Sequence, residues 1–430
     1  MEKVKMKFGN TAMYVSVKEE NLIGVIEANK VPEGKTEDQI IKEALENPID
    51  SARLRELVHE GEKVCVVIPD VTRAWQRTGI YLNKVVEELN EGGIPDKDIV
   101  FISALGSHRK QTRAEHEKLL GEKLASRFQV MDHDCYDKDN LVFLGETTYG
   151  NPIYINKIAM ECDHIVITGG IVYHLLAGYA GGKKSILPGI AGAETIMTNH
   201  SLSLNDNLGE SIKAGVCPGG IEDNPVHKDM VEAASFVKPT FMFNVVMGPD
   251  GQIAGAVAGN YLTAHEEGVK MLRAIDGVAI KEKADLAIAS AGGYPKDINL
   301  YQSTKTLINA REAINEGGYI IAVMQCSEGL GGGKEIQDII LNYDNILDRE
   351  KFVRDNFSIG KFIAYCMCET AYKYNVILVS DIEQELVKNA NITVVKTIED
   401  ALNIVHKEKG ENIKTYLMPH AANTFPLLTK

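Results

Sequence analysis

Lys63–Asp70 reads KVCVVIPD, with no polar residue between its two ends. A strand with one wet face alternates apolar and polar residues. An unbroken apolar run therefore predicts a strand covered on both faces, as in parallel sheets flanked by helices. Two runs of the same kind follow, DIVFISALGSH over Asp98–His108 and HIVITGG over His164–Gly170. Each leads into residues able to do chemistry: Asp70-Val71-Thr72-Arg73 after the first, His108 closing the second, and His174 just past the third. Ligands gather at the carboxyl ends of parallel strands, so positions spread over about a hundred residues are expected to meet at one site.

The pattern extends in both directions. The first thirty residues alternate like paired strands (KMKF, MYVSV, LIGVIEA), with Gly9-Asn10 as a turn signal. Helical spacing follows near Asp38–Glu46, Ser51–Glu60 and Gly79–Asn90. Residues 241–260 read as a hairpin around Pro249-Asp250-Gly251, and a helix over Tyr261–Ala274 leads to a second domain. That domain opens with ADLAIASAGGYPKD and continues with a helix near Tyr301–Asn315, the strand GYIIAVMQ and the glycine loop Gly329–Gly333. Helices at Lys334–Leu341, Ile359–Tyr374 and Ile398–Glu408, with strands NVILVS, ITVV and KTYLMP, complete it. The expectation is an α/β protein of two α/β domains with mainly parallel sheets, 1–265 and 275–430, and an active site in the cleft between them. The second domain looks Rossmann-like, yet it lacks the GxGxxG turn that a dinucleotide site requires.

Composition narrows the function. A chain of 430 residues exceeds a single core. The net charge of -14 excludes nucleic acid, which needs a basic face, and leaves small anionic substrates open. The start, MEKVKMKFGN, has no apolar signal core, and no run reaches the length of a membrane span. Seven cysteines without zinc-finger spacing suit a reduced, cytoplasmic protein.

The densest chemistry lies in His174–His200, HLLAGYAGGKKSILPGIAGAETIMTNH. Gly178, Gly181 and Gly182 allow a ligand close to the backbone, and Leu187-Pro188-Gly189 makes a rigid corner. Lys183 and Lys184 read either as a solvated pair or, between glycines and an apolar run, as groups facing a ligand. His108 and His174 suit proton transfer near neutral pH, against the alternative of two solvated histidines. His200 reads as a cap or core histidine on spacing alone, Arg73 as an anion clamp or a partner of Asp70, and Lys296 as a cleft or loop lysine. His133, His164 and His227 fit no constellation.

The motif H-x3-G-x2-GGKK-x-ILPG-x5-TI-x2-NH closely resembles the nickel-dependent lactate racemases, and DVTR, LGSH and GGYPKD extend the resemblance along the chain. The resemblance implies a nickel-pincer nucleotide, a pyridinium mononucleotide with two sulfur substituents, held covalently by Lys184 as a thioamide. It implies His200 as the nickel ligand, His108 and His174 as an acid/base pair, Arg73 and Lys296 on the substrate carboxylate, and Asp70, Thr72 and Tyr294 lining the pocket. The implied reaction is racemisation of D- and L-lactate by hydride transfer through a 2-keto acid, with cofactor-biosynthesis enzymes as transient partners. Another 2-hydroxy acid (malate, an aromatic hydroxy acid or a sugar acid), a non-catalytic nickel or nucleotide carrier, and a Schiff-base enzyme using Lys184 are the alternatives. The chain departs from the family after Arg73: Ala74-Trp75-Gln76-Arg77 replaces a proline-rich continuation, and Trp75 with Arg77 is expected to reshape the pocket rim.

Overall fold

The computed structural model describes residues 3–31, 34–355 and 357–429. It divides into two compact units. A central unit holds Lys30–Leu204 and Ile212–Arg273. A C-terminal unit holds the chain up to Asn29, Asn205–Ser211, and everything from Ala274 onward.

The expected body 1–265 is therefore drawn differently at its start, and hydrogen bonding gives the reason. Strands β1 (Val4–Phe8) and β2 (Thr11–Val15) form a hairpin, as the alternation predicts, with Met6 and Phe8 packed into the core of the C-terminal unit. Strand β3 (Leu22–Val25) pairs in parallel with Thr415–Met418 near the other end of the chain.

In the central unit, β4 (Val64–Pro69), β5 (Ile99–Ala104) and β6 (Val130–Asp132) are followed by the hairpin β7 (Leu141–Glu146) and β8 (Pro152–Asn156). Then come β9 (His164–Gly170), the short pair β10 (Tyr173–His174) and β11 (Gly178–Tyr179), and β12 (Phe241–Met247) with β13 (Ile253–Gly259). The main sheet runs β13-β12-β9-β4-β5-β6, parallel except for the β12–β13 hairpin predicted from sequence. The three strands with chemical ends are thus neighbours, in the order β9-β4-β5. Val64, Val66 and Ile68 of β4 pack against Tyr81, Leu82 and Val85 of the helix Thr78–Glu91, at about 1.5–3 kcal/mol per large apolar side chain.

The helix expected over Ser51–Glu60 shrinks to Leu54–Leu57, because Val58 turns extended and buries its side chain. The helices Arg113–Ala125 and Pro225–Val237 start at the side-chain caps Thr112 and Asn224.

The C-terminal unit adds β14 (Gly277–Ile280), β15 (Ala284–Ser290), β16 (Ile314–Val323), β17 (Asn375–Val379), β18 (Ile392–Val395), β19 (Thr415–Met418) and β20 (Phe425–Leu428). Its sheet is wholly parallel, in the order β18-β17-β16-β15-β19-β3. Among the described residues no helix is long and apolar enough to cross a membrane.

Candidate active site

Asp70 organises the end of β4. Buried, it caps the 3-10 helix Val71–Gln76, accepting the Thr72 amide at 2.8 Å and the Thr72 hydroxyl on the same oxygen. Its other oxygen lies 2.5 Å from Nδ1 of the half-exposed His108. Burial works to raise the carboxyl, but the bonds from His108 and Thr72 and the charge of Arg73 outweigh it and hold Asp70 below its ordinary pKa. A carboxylate only accepts, so Nδ1 of His108 carries a proton, and the neutral form of the ring has its lone pair on Nε2. Arg73, on the same 3-10 helix, donates to the Thr72 hydroxyl at 2.9 Å.

The turn bearing His108 is held by the Leu187-Pro188-Gly189 corner. The Gly106 amide donates to the Gly189 carbonyl at 2.9 Å. Gly106 adopts φ +54, and a Cβ on it would meet Pro188 at 3.3 Å. At Gly189 a Cβ would stand 2.1 Å from the Ser185 carbonyl oxygen, so only glycine fits without moving the chain.

His174 ends β10, paired with Gly178 of β11. Its Nδ1 accepts the amides of Leu176 and Ala177, both at 3.2 Å. A nitrogen that receives two donors holds no proton, so the neutral ring carries its hydrogen on Nε2. In their neutral forms the two histidines therefore carry opposite groups at Nε2: a lone pair on His108, an N–H on His174.

The GGKK turn is fixed by Asn244 of β12, whose Oδ1 accepts the Gly182 amide at 2.7 Å. Lys184 is half-buried yet surrounded by protein. Burial, then the charges of Arg73 and Lys183, push its amine down to about 7. His200 lies in the last turn of the helix Ala193–Ser201, 2% exposed. Its Nδ1 donates to the Ile196 carbonyl at 2.9 Å, which leaves the Nε2 lone pair free. Burial first, then nearby Lys184, pushes its imidazole down to about 3, so it is neutral. Asp70, Thr72, Arg73, His108, Lys184 and His200 are thus linked by direct bonds or mutual charge within the central unit. Tyr294 and Lys296 stand in the C-terminal unit, on the turn after β15, where Lys296 donates to Asn423 at 2.7 Å.

The sequence singles out Lys183 as one of a lysine pair, but not its grouping with two histidines. Lys183 is 2% exposed, its Nζ has no hydrogen-bond partner among the described residues, and burial holds the amine at about 7. His265 and His227 lie near it and are pushed down to about 3, by burial first and by Lys183 next. His265 packs on Gly182 and lies 2.9 Å from the Ala180 carbonyl, a contact that no sequence spacing announces. His133 and His164, without a constellation in the sequence, have structural partners: the Ala191 carbonyl at 2.9 Å and Glu62 at 2.9 Å. Arg77 pairs with Glu37 at 3.1 Å, and Trp75 is 47% exposed.

Comparison with known proteins matches this arrangement to one family over nearly the whole chain. Residues 8–211 match the lactate racemase N-terminal domain and residues 279–424 the lactate racemase C-terminal domain. Lactate racemase of Thermoanaerobacterium thermosaccharolyticum is 31% identical over 432 residues, covering 97% of this chain and 98% of that protein. The Lactiplantibacillus plantarum lactate racemase is 30% identical with the same coverage, 97% and 98%. The structure of the T. thermosaccharolyticum lactate racemase apoprotein superposes with a TM-score of 0.89 at 30% identity, over 99% of this chain and 100% of that one. A Thermotoga maritima protein shares the fold at 19% identity, with a TM-score of 0.65 over 93% of this chain. The chain belongs to the lactate racemase family of isomerases.

Proposed function

We propose that the protein racemises a 2-hydroxy acid, with lactate as the substrate, using a nickel-pincer nucleotide tethered at Lys184. The observation that carries this reading is the pairing of Lys184 with His200. An amine held at about 7 is unprotonated often enough to be a nucleophile, and it lies beside a buried neutral imidazole with a free Nε2. Among the described residues no three His, Cys, Asp or Glu side chains form a metal cage, and on this reading the protein's donor is one imidazole, His200. That set suits a metal whose remaining donors come from an organic cofactor. When bound, the nucleotide supplies a hydride acceptor, so the Cα hydrogen need not leave as a proton beside a carboxylate.

The chain's own residues bind, orient and move protons. Arg73 grips the substrate carboxylate by its fork of N–H groups, with Thr72 on the pocket wall beside it. His108 takes the hydroxyl proton at Nε2, and Asp70 keeps the other ring proton on Nδ1. His174 serves the opposite side. To donate from Nε2 it must first be imidazolium, and to accept there it must carry its proton on Nδ1. In either direction, therefore, Nδ1 has to leave the Leu176 and Ala177 amides. A carrier needs Lys184 and His200 but no such histidine pair, which disfavours a non-catalytic role. The reading places the enzyme in the cytoplasm, where its seven unpaired cysteines stay reduced and the cofactor-making enzymes can load it.

A second reading, a larger 2-hydroxy acid, is favoured by Trp75, which stands exposed on the helix that carries Arg73. The deciding experiment loads the protein by co-expression with the cofactor-making enzymes, then combines intact-protein mass spectrometry with a chiral lactate assay. The expected result is an adduct that Lys184→Ala abolishes, together with interconversion of D- and L-lactate. Absence of any lysine adduct overturns the cofactor assignment, and an adduct without lactate turnover moves the substrate to the second reading.

A further inference from the structure

The strand ends that carry Asp70 and His108 are joined a second time, behind the pair itself. Gln111 lies on the loop between β5 and the helix Arg113–Ala125, shortly after His108. Its Oε1 accepts the amide of Val71, the residue after Asp70, at 2.6 Å. Its Nε2 donates to the buried Ser103 hydroxyl of β5 at 2.8 Å and to Asp132, at the end of β6, at 2.9 Å. The Gln111 backbone amide donates to the other Asp132 oxygen at 2.6 Å. One half-buried residue therefore ties together the ends of β4, β5 and β6, which are neighbours in the sheet.

The orientation of this side-chain amide is forced. The Val71 N–H only donates and the Asp132 carboxylate only accepts, so the oxygen must face the first and the nitrogen the second. Asp132 is held in turn by His116 of the helix, whose Nε2 lies 2.7 Å from the same oxygen that Gln111 Nε2 uses. Val71 opens the 3-10 helix that Asp70 caps and that carries Arg73. Fixing Val71 to the loop after β5 therefore fixes the distance that the Asp70–His108 contact has to span.

We propose that Gln111 is a positioning residue that docks the Asp70–Arg73 turn on the His108 loop, so that the Asp70–His108 contact does not hold that geometry alone. That the aligned His108 moves a substrate proton rests on the reading above; the docking does not.

The test begins with the cofactor-free full-length chain. Gln111→Met keeps the bulk and removes both polar ends. The Val71 amide is expected to lose roughly five- to tenfold in hydrogen-exchange protection, the effect of one hydrogen bond. The Nε2-protonated tautomer of neutral His108, read by nitrogen NMR at pH 9, is expected to gain by a similar factor.

Gln111→Glu separates this loss from simple misfolding. Its new carboxylate faces Asp132, and in acid the two share one proton, which rebuilds the bridge. As pH rises and that proton leaves, the two charges repel, and Val71 protection falls to the level of Gln111→Met. Around the pair stand His116 on the helix, Arg109 on the loop, Lys110 with its partner Asp134 at 3.3 Å, and Asp70 and Arg73 across the turn. Gln111→Met retains all of these, so a pH dependence confined to Gln111→Glu belongs to the new carboxylate. In loaded enzyme, kcat/KM of Gln111→Glu follows the same pH limb. Unchanged Val71 protection or an unchanged His108 tautomer in Gln111→Met overturns the proposal, and so does a Gln111→Glu variant without the added pH dependence. If both changes appear in a protein whose loaded wild type does not racemise, the docking stands and the proposed reaction falls.

Discussion

Asp70 holds Thr72 with one carboxylate oxygen and His108 with the other. One buried group therefore sets both the fold of the turn carrying Arg73 and the tautomer of the histidine beside it. Asp70→Asn keeps the shape but can offer its amide N–H to the ring, which favours the wrong tautomer. Turnover of loaded enzyme is expected to fall about 100-fold or more, the scale of one acid/base contribution, with KM changed much less. Steady-state kinetics in both directions check this.

Acid stability follows from the same residue. The folded pKa of Asp70 is depressed, so its ionised form favours the fold. That stabilisation is present above the unfolded value of about 4 and is lost as pH falls through the lower folded value. Urea melts of wild type and Asp70→Asn are expected to differ most near neutrality and to converge in acid.

The buried amine of Lys183 has the same slope with pH, but its charged form works against the fold where the Asp70 carboxylate favours it. Its folded pKa of about 7 lies below the ordinary lysine value, so the unfolded chain binds more protons and stability rises with pH between the two values. Lys183→Met is expected to raise the unfolding midpoint of cofactor-free protein at pH 7, by roughly 2–4 °C per kcal/mol relieved. The gain shrinks toward pH 10 and above, as the wild-type amine becomes neutral in both states. Thermal scans across that range measure it.

Lys184 shares the low value but remains part-accessible. An amine-selective reagent is expected to label it with a pH midpoint near 7, while Lys183 stays unlabelled. Peptide mass spectrometry after brief exposure distinguishes the two adjacent residues, and a midpoint near 10 would contradict the burial argument.

Histidine nitrogen NMR tests the split between the two imidazoles. The expected spectrum of the cofactor-free protein shows His108 protonated at Nδ1 and His174 at Nε2. Matching tautomers at both positions would remove the structural basis for assigning them different starting roles.

Much of this was legible in the sequence because its causes are local. An unbroken run such as KVCVVIPD can be satisfied only by a strand buried on both faces, and chemistry at strand ends follows from sheet geometry. The partner of β3 was not legible: LIGV alternates as any strand does, and nothing nearby names Thr415–Met418 as its neighbour. The grouping of Lys183 with His227 and His265 was hidden for the same reason. It depends on a glycine backbone meeting a side chain far along the chain, at Gly182.

The pairing of β3 with β19 also sets an order of assembly during synthesis. Every segment of the central unit is complete once the ribosome has passed Arg273, whereas β3, made among the first residues, pairs with a strand starting at Thr415. At about 5–20 residues per second that wait lasts on the order of 20–80 s. The earliest part of the chain is therefore among the last to find its place. Fragments cut between 265 and 275 leave an orphaned sheet edge on one piece and a stranded hairpin on the other.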